Sequence, residues 1–140
     1  MTDRKYLPTL AELIDRLSIV QLKMIFIAEN RVNYIAERAL IEHDIDMLLT
    51  EGFGVDSAKA IRAVMLIMLA NRFIWENESI ARRGGTEAEG RLRATHAVNG
   101  VRNNAKNIIA ALNGTRVDLK VDALAADLPP DLGNWDVFRD

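Results

Sequence analysis

The sequence predicts an all-α protein, an up-and-down four-helix bundle with an extended C-terminal arm. Prolines occur only at positions 8, 129 and 130, and glycines punctuate long runs that contain no other helix breaker. Within those runs apolar residues recur every three or four positions, the spacing of one helix face. A chain of 140 residues has the size of one domain with one core. We place the bundle at residues 1–114 and the arm at residues 115–140.

The first helix is predicted to begin after Thr9. The Thr9 hydroxyl can accept a hydrogen bond from a free backbone N–H of the first turn, and Glu12 can reach back to the Thr9 N–H, which forms a capping box. An apolar stripe follows at helical spacing and should face the core. Its members are Leu10, Leu13, Ile14, Leu17, Val20, Met24 and Ile27.

A break is predicted between Asn30 and Asn33, because asparagine is a poor helix former that tolerates a left-handed turn or an N-cap. The alternative is one kinked helix from Thr9 to Thr50. A second helix would end at the turn from Gly52 to Gly54. Its inward residues are predicted to be Ile35, Ile41, Ile45, Leu48 and Leu49.

The third helix differs from the others because residues 63–70, AVMLIMLA, are apolar on every face. Asp56 or Ser57 can cap its start, and it should end near Arg83, before Gly84 and Gly85. A helix that is apolar all round is buried all round. Either this helix is central in the bundle or a second copy of the chain covers one side of it. We favour the second explanation and expect a homodimer.

The fourth helix is predicted to start at a second capping box, Thr86 with Glu89, and to end at Asn113 before Gly114. Its core stripe is predicted to be Ala94, Val98, Val101, Ala105, Ile108 and Leu112. Asparagines at 99, 103, 104 and 107 lie in the middle of this helix, each at a cost of roughly 0.5 to 1 kcal/mol relative to alanine. Such a cost indicates either a functional site or asparagines that bond neighbouring segments.

The pattern changes after Gly114. Val117, Leu119 and Val121 alternate with charged residues, which predicts an extended segment. Because a single strand cannot satisfy its own backbone, the arm should lie along the bundle or pair with a partner subunit. Residues 123–127 could add a helical turn, and three apolar residues near the end are candidate anchors for the arm: Trp135, Val137 and Phe138.

Composition excludes several functional classes. Eighteen Lys and Arg against twenty Asp and Glu give a net charge of −2, without the basic excess typical of duplex-binding proteins, so we expect no nucleic-acid partner. The chain has no cysteine for disulfides or thiolate zinc sites. The first residues lack the apolar region of a signal peptide, and the uncharged stretch at residues 63–71 is about half of the roughly 20 residues that span a bilayer. We expect a soluble, cytoplasmic protein without membrane insertion.

No motif specifies a reaction or a cofactor. Glu42 and Asp46 lie four residues apart beside His43, as metal-binding carboxylates often do, but the paired Glu-x-x-His motifs of di-iron bundles do not occur. We interpret these residues as a solvated acidic face and expect no metal. A nucleophilic triad could be built only around His43 or His96, and both fit better as exposed or structurally bonded histidines.

The most site-like pattern pairs the last two helices. Asn71, Trp75, Glu78 and Arg82 share one face of the third helix, and Asn99, Arg102, Asn103 and Lys106 share one face of the fourth. If these faces meet, Arg102 and Lys106 should pair with Glu76 or Glu78. A buried arrangement would be an ion-pair network that fixes helix register. An open arrangement with Trp75 as a platform could bind a small polar or anionic ligand. The candidate ligand-binding residues are Trp75, Glu78, Asn99, Arg102, Asn103 and Lys106.

Three segments resemble, in the same order, the signatures of two small helical families, domain of unknown function 6165 and, more distantly, 4254. The segments are TLAELIDRLSIVQLK at 9–23, NRFIWENESIARR at 71–83 and NGVRNNAKNII at 99–109. The resemblance covers residues 9–114 and carries over Glu12, Asp15, Lys23, Trp75, Glu78, Arg82, Asn99, Arg102 and Lys106. Ser79, Asn103 and Asn104 depart from the family patterns. The families have no established activity, and their gene neighbourhoods are rich in glycosyltransferase and surface-polysaccharide functions.

The sequence does not specify a function and leaves two hypotheses. The first is a non-enzymatic accessory or interaction protein, which the resemblance connects to cell-surface glycan assembly. The second is a ligand-binding protein or hydrolase with its site between the third and fourth helices. The residues alone leave open whether the protein is an enzyme.

Overall fold

The computed structural model describes residues 3–118, 134–135 and 137–138, and all regular secondary structure in these ranges is helical. Four helices follow one another: α1 (Leu10–Phe26), α2 (Arg31–Thr50), α3 (Ala58–Arg82) and α4 (Ala88–Leu112). The prediction of an all-α, four-helix architecture is confirmed.

The starts of α1 and α3 follow from local capping. The Thr9 hydroxyl accepts from the Glu12 N–H at 3.3 Å, and the Glu12 carboxylate accepts from the Thr9 N–H at 3.4 Å, which confirms the capping box. The Ser57 hydroxyl accepts from the Ala60 N–H at 3.1 Å at the start of α3. Each bond satisfies a backbone donor that has no partner inside its helix.

The predicted capping box at Thr86 and Glu89 is wrong. Helix α4 begins at Ala88 with Glu87 as its N-cap, and no side chain caps it. Gly84 and Gly85 both have positive φ angles, and the turn continues to Ala88, whose N–H bonds the Gly85 carbonyl. Thr86 lies inside this turn, so its hydroxyl is placed too early to reach the first turn of α4.

A break between the first two helices is confirmed and the kinked-helix alternative is excluded, but the break lies at residues 27–30 rather than 30–33, because α2 begins at Arg31 and includes Asn33. Helix α1 ends at Phe26, and Asn30 adopts the left-handed conformation with φ of 60° immediately before α2. Asparagine tolerates this conformation better than other non-glycine residues, because its short polar side chain can bond locally.

Helix α1 lies in the middle of the arrangement. One of its faces packs against α2 through Leu13 and Val20, which contact Ile41. The opposite face, which includes Ala11 and Asp15, packs against the α3–α4 pair. The helices run alternately up and down, so α1 is parallel to α3 and antiparallel to α4. The molecule therefore has α2 on one side of α1 and an α3–α4 hairpin on the other.

Helices α3 and α4 form the most extensive pairing in the fold. Small buried residues on both helices, including Ala63, Ala70 and Ala105, let the two backbones approach closely. Ile67 and Ile109 are fully buried in the same cluster. This pairing fills the core on the side of α1 that faces away from α2.

Some residues predicted to face inward are exposed. In α2 only Ile41 is buried, Ile45 and Leu48 are half-buried, and Ile35 and Leu49 face solvent. The cause is that α2 packs mainly against one helix, α1, which covers a single narrow face. In α4 the predicted core position Leu112 is also exposed, because the helix ends there beyond the covered part of the hairpin.

Two aromatic residues from the C-terminal arm contact the bundle. Trp135 packs edge-on against Phe73 with ring centroids 5.4 Å apart, and Phe138 lies under the Arg62 guanidinium at 4.6 Å. The Val137 carbonyl accepts a hydrogen bond from Arg62 at 2.6 Å, although the Val137 side chain is exposed. The predicted helical turn at 123–127, and the predicted extended segment beyond residue 118, lie outside the described residues.

None of the four helices in the described ranges combines the length and the apolar character that a membrane span requires.

The Thr9 cap provides a matched pair of substitutions. Thr9→Ala should lower the free energy of unfolding by about 1 kcal/mol, because it leaves an N-terminal backbone donor of α1 without its partner. Thr86→Ala is the control, since Thr86 caps no helix, and it should change stability by less than about 0.5 kcal/mol. Urea denaturation at fixed protein concentration measures both values. Equal losses for the two variants would contradict this assignment of caps.

Candidate functional site

Five polar side chains from three helices meet inside the bundle, and we call them the Asp15 cluster. Asp15 and Ser18 come from α1, Asn71 from α3, and Arg102 and Lys106 from α4. Asp15, Ser18 and Asn71 are buried, and the side chains of Arg102 and Lys106 are each about one-fifth exposed. At this cluster α1, α3 and α4 contact one another through polar side chains.

Asn71 is the centre of the cluster. It is 3% exposed, and its Nδ2 donates to Asp15 Oδ1 at 2.8 Å and to Ser18 Oγ at 2.6 Å. Its Oδ1 accepts from Arg102 Nη1 at 3.2 Å. Ser18 in turn donates to the Asp15 backbone carbonyl at 2.7 Å. Both N–H groups and the oxygen of this amide are therefore occupied, each by a partner on another helix.

Asp15 supplies the negative charge of the cluster. Its Oδ1 lies 3.9 Å from Arg102 Nε, and its Oδ2 lies 3.7 Å from Lys106 Nζ. One carboxylate therefore faces two cations, and the local formal charge is positive by one. At these distances the attraction is an ion pair without a direct hydrogen bond, and Arg102 Nε is buried without a hydrogen-bond partner.

The predicted acidic partners of Arg102 and Lys106 are wrong. Glu76 pairs with Arg72, and Glu78 pairs with Arg82, in both cases one turn apart on the surface of α3. The physical reason is the position of α1, which lies against both α3 and α4 and brings Asp15 to the cations of α4. The cations therefore find their counter-charge on a third helix.

Only two of the six candidate ligand-binding residues belong to the cluster. Arg102 and Lys106 do, whereas Trp75 is half-buried with its ring 6.4 Å from the Phe26 ring. The Glu78 carboxylate accepts a hydrogen bond from Arg82 on the same helix. Asn99 is half-buried and Asn103 is buried on the same helix, and neither takes part in the hydrogen bonds of the cluster. The predicted constellation is not brought together as one site.

Sequence reasoning did not place Asp15 and Ser18 in the candidate site. Both lie on the second face of α1, between Ala11 and Leu22, which are buried. Most of the predicted apolar stripe, including Leu13, Val20 and Met24, packs in the α2-facing cluster, and nothing in its spacing shows that the opposite side is also covered. Two short polar residues on one helix face between buried apolar residues are the only local signal.

Other asparagines also bond neighbouring segments. Asn77, 4% exposed, accepts from Arg91 Nη1 at 3.1 Å and so adds a second polar contact between α3 and α4. Asn107 exchanges two hydrogen bonds with the Asp118 backbone. Asn113 accepts from the Gly54 N–H at 2.7 Å and donates to the Gly54 carbonyl at 2.9 Å. Three asparagines thus fasten loops or helices to each other, and one of them, Asn107, is among the mid-helix asparagines of α4 for which the sequence predicts such a role.

A cavity of about 400 Å³ lies beside the cluster, between the start of α1 and the end of α4. Lys106 and Arg116 supply cations to its wall, and Glu12 and Asp118 supply carboxylates. Arg116 is already held: it donates to Glu12 at 3.2 Å and to the Leu7 carbonyl at 2.6 Å, and it lies over the ring of Tyr6. The two cations and two carboxylates of the lining balance in formal charge. Of the two cations, Arg116 makes direct hydrogen bonds and Lys106 does not.

An apolar groove of about 590 Å³ runs along the opposite edge of α1, between α1 and α3. We call it the α1–α3 groove. Met65 is 66% exposed, Leu69 56% and Ile25 68%, and the lining is almost entirely hydrocarbon, with Gln21 and Arg72 among its few polar members. In the single chain this hydrocarbon is open to solvent.

Within the described ranges, no group of three His, Cys, Asp or Glu residues is close enough to hold a metal ion. His43 and Asp44 form an exposed contact at 3.1 Å, and Glu42 is paired with Arg38.

Comparisons with known proteins add no assignment. No family model matches the chain, and neither the curated proteins nor the solved structures yield a match.

The Asp15 cluster makes a direct prediction about stability. Asp15→Asn should lower the free energy of unfolding by about 3 kcal/mol, because it leaves Arg102 and Lys106 partly buried without a counter-charge. Glu76→Gln is the control, since it removes a carboxylate from an exposed pair on α3 and should cost less than about 1 kcal/mol. Both values come from urea denaturation at the same protein concentration. If the two variants lose equal stability, the cluster does not hold the helices together.

Proposed function

We propose that this chain is a non-enzymatic accessory or interaction protein that acts as a homodimer. The observation that supports this function is the α1–α3 groove, an open apolar surface on a molecule whose central polar residues already bond to one another. Exposed hydrocarbon over two helices lowers its free energy when another protein surface covers it. The expectation that a second copy covers one side of α3 agrees with this groove, since α3 is one of its two walls.

The proposal includes a setting. The resemblance of residues 9–114 to families found near glycosyltransferase genes connects the protein to cell-surface glycan assembly. We place its action on the cytoplasmic side of that process, with a protein partner in addition to its second copy. The Asp15 cluster favours a structural role over a catalytic one. Its Asn71 amide and Asp15 carboxylate already bond to other residues of the chain.

An alternative function has one observation in its favour. The 400 Å³ cavity beside the cluster has Lys106 on its wall, with the ammonium 3.7 Å from Asp15 and no direct hydrogen bond. A small polar or anionic ligand could bond this ammonium from the cavity side. Such a site lies at the junction of α1 and α4 rather than between α3 and α4.

The oligomeric state tests the accessory proposal. Leu69→Lys should convert the dimer to a monomer, because it places a charge in the apolar lining of the groove. Leu40→Lys is the control, since Leu40 is a comparably exposed leucine on α2, outside the groove, and its substitution should leave the dimer intact. Sedimentation velocity measures the mass of each protein in solution. A wild-type monomer at concentrations of tens of micromolar would contradict the homodimer.

The same two variants test the proposed setting in the native host. Deletion of the gene should reduce surface polysaccharide, and the wild-type and Leu40→Lys proteins should restore it whereas Leu69→Lys should not. Unchanged polysaccharide after deletion would remove the connection to glycan assembly while leaving the dimer unaffected.

A ligand panel distinguishes the two functions. Nucleotides, nucleotide sugars and divalent metal ions should each leave the thermal unfolding midpoint unchanged if the protein is an accessory factor. A bound ligand at a hundredfold its Kd would add about 2.7 kcal/mol of stability. A rise in midpoint that Lys106→Met abolishes, measured against that variant's own midpoint without ligand, would favour the alternative.

A further inference from the structure

Lys106 carries a largely buried ammonium that makes no hydrogen bond with the described residues. Its side chain is about one-fifth exposed, and its Nζ lies 3.7 Å from Asp15 Oδ2, which is beyond hydrogen-bond distance. An ammonium has three N–H donors, and polar groups withdrawn from water normally find partners. Lys106 lines the cavity of about 400 Å³ at the junction of α1 and α4, so its donors can be reached from that side.

The charge of Lys106 is only partly balanced inside the bundle. Its counter-ion Asp15 is shared with Arg102, whose Nε lies 3.9 Å from the same carboxylate and has no hydrogen-bond partner in the described part of the chain. One negative charge therefore serves two cations, which leaves an excess of one positive charge at this edge of the cavity. Because both cations are partly withdrawn from water, an anion at this edge would be stabilised by the excess.

Thr9 provides a second donor on the same cavity. The residue is 8% exposed, and its hydroxyl oxygen accepts from the Glu12 N–H at 3.3 Å. A hydroxyl can donate and accept at the same time, and within the described ranges the Thr9 hydroxyl hydrogen has no acceptor. A carboxylate offers acceptor oxygens to an ammonium and to a hydroxyl alike, and hydrogen bonds to an ionised group are the stronger ones.

The rest of the lining restricts the charge of an anion to one. Arg116 is the other cation among the described residues of the wall, and it already donates to both oxygens of Glu12 at 3.2 Å. A second negative group would therefore face the Glu12 carboxylate without a cation of its own. Ala11, Ala110 and Val117 give the wall apolar patches, which suit a short hydrocarbon chain.

We infer, on the basis of the alternative function, that this cavity binds a small monocarboxylate. Its carboxylate bonds Lys106, and its hydrocarbon part packs against Ala110 and Val117. A volume of about 400 Å³ lies toward the small end of ligand pockets in proteins. The bound anion supplies the negative charge that Asp15 alone does not provide. Binding of this kind requires neither a reaction nor a second copy of the chain, so an accessory protein can carry the site.

Three probes that share a four-carbon chain separate the effect of charge from that of size. At neutral pH butyrate carries one negative charge, succinate carries two and butyramide carries none. Amide NMR spectra of isotopically labelled wild-type protein follow a titration with each probe at constant ionic strength. We expect saturable shifts around Thr9, Lys106 and Arg116 with butyrate, with a Kd in the millimolar range, and binding weaker by roughly tenfold or more for the other two probes.

Two lysine variants locate the binding. Lys106→Met should remove the butyrate shifts, because it removes the cation of the site. Lys59→Met is the control, since Lys59 is a lysine outside this cavity, and it should leave the shifts unchanged. The wild-type titrations decide the inference even if Lys106→Met does not fold. Butyrate shifts that persist in a folded Lys106→Met protein would contradict the assignment to Lys106.

The titrations separate this inference from the functions on which it draws. Succinate or butyramide that binds near Lys106 as tightly as butyrate would overturn the monocarboxylate class and leave the alternative function in place. The absence of saturable shifts near Lys106 with all three probes would overturn the site. Sedimentation velocity measures the oligomeric state independently, so a monomer that binds butyrate would reject the homodimer alone.

Discussion

The amide of Asn71 is the interaction on which the rest of the fold depends. It bonds α1 through Asp15 and Ser18 and α4 through Arg102, so one side chain connects the three inner helices. Apolar packing alone tolerates sliding of one helix along another, because neighbouring ridges offer similar contacts. A buried amide with three directional hydrogen bonds resists such sliding, since each lost bond leaves a polar group without a partner. The cluster thus fixes the register of α1 against the α3–α4 hairpin.

The central position of α1 explains both the core and the exposed surfaces. Because α1 separates α2 from the hairpin, α2 buries only Ile41, and α3 keeps one apolar face uncovered. The consequence is a molecule with a firmly bonded interior and an open groove on one edge. The polar groups hold the helices together, and the apolar groove leaves hydrocarbon open to solvent.

Local features of the fold could be predicted from the sequence, whereas contacts across helices could not. The Thr9 cap, the Ser57 cap and the break at Asn30 depend on residues within a few positions of each other. The start of α4 was placed too early because the turn after Gly85 continues past Thr86. The sequence assigns the partners of Arg102 and Lys106 to α3, because the pattern of two helices cannot show that a third helix lies against both. Of the six candidate ligand-binding residues, Arg102 and Lys106 lie in the Asp15 cluster.

A double-mutant cycle between Asp15 and Lys106 tests most directly whether the cluster is one coupled network. The free energies of unfolding of Asp15→Asn, Lys106→Met and the double variant, compared with the wild type, give the coupling energy. The account predicts a coupling of about 1–3 kcal/mol in the absence of any ligand, as found for residues in one ion-pair network. Additive losses within about 0.5 kcal/mol would contradict it and would show that Asp15 and Lys106 stabilise the fold independently of each other.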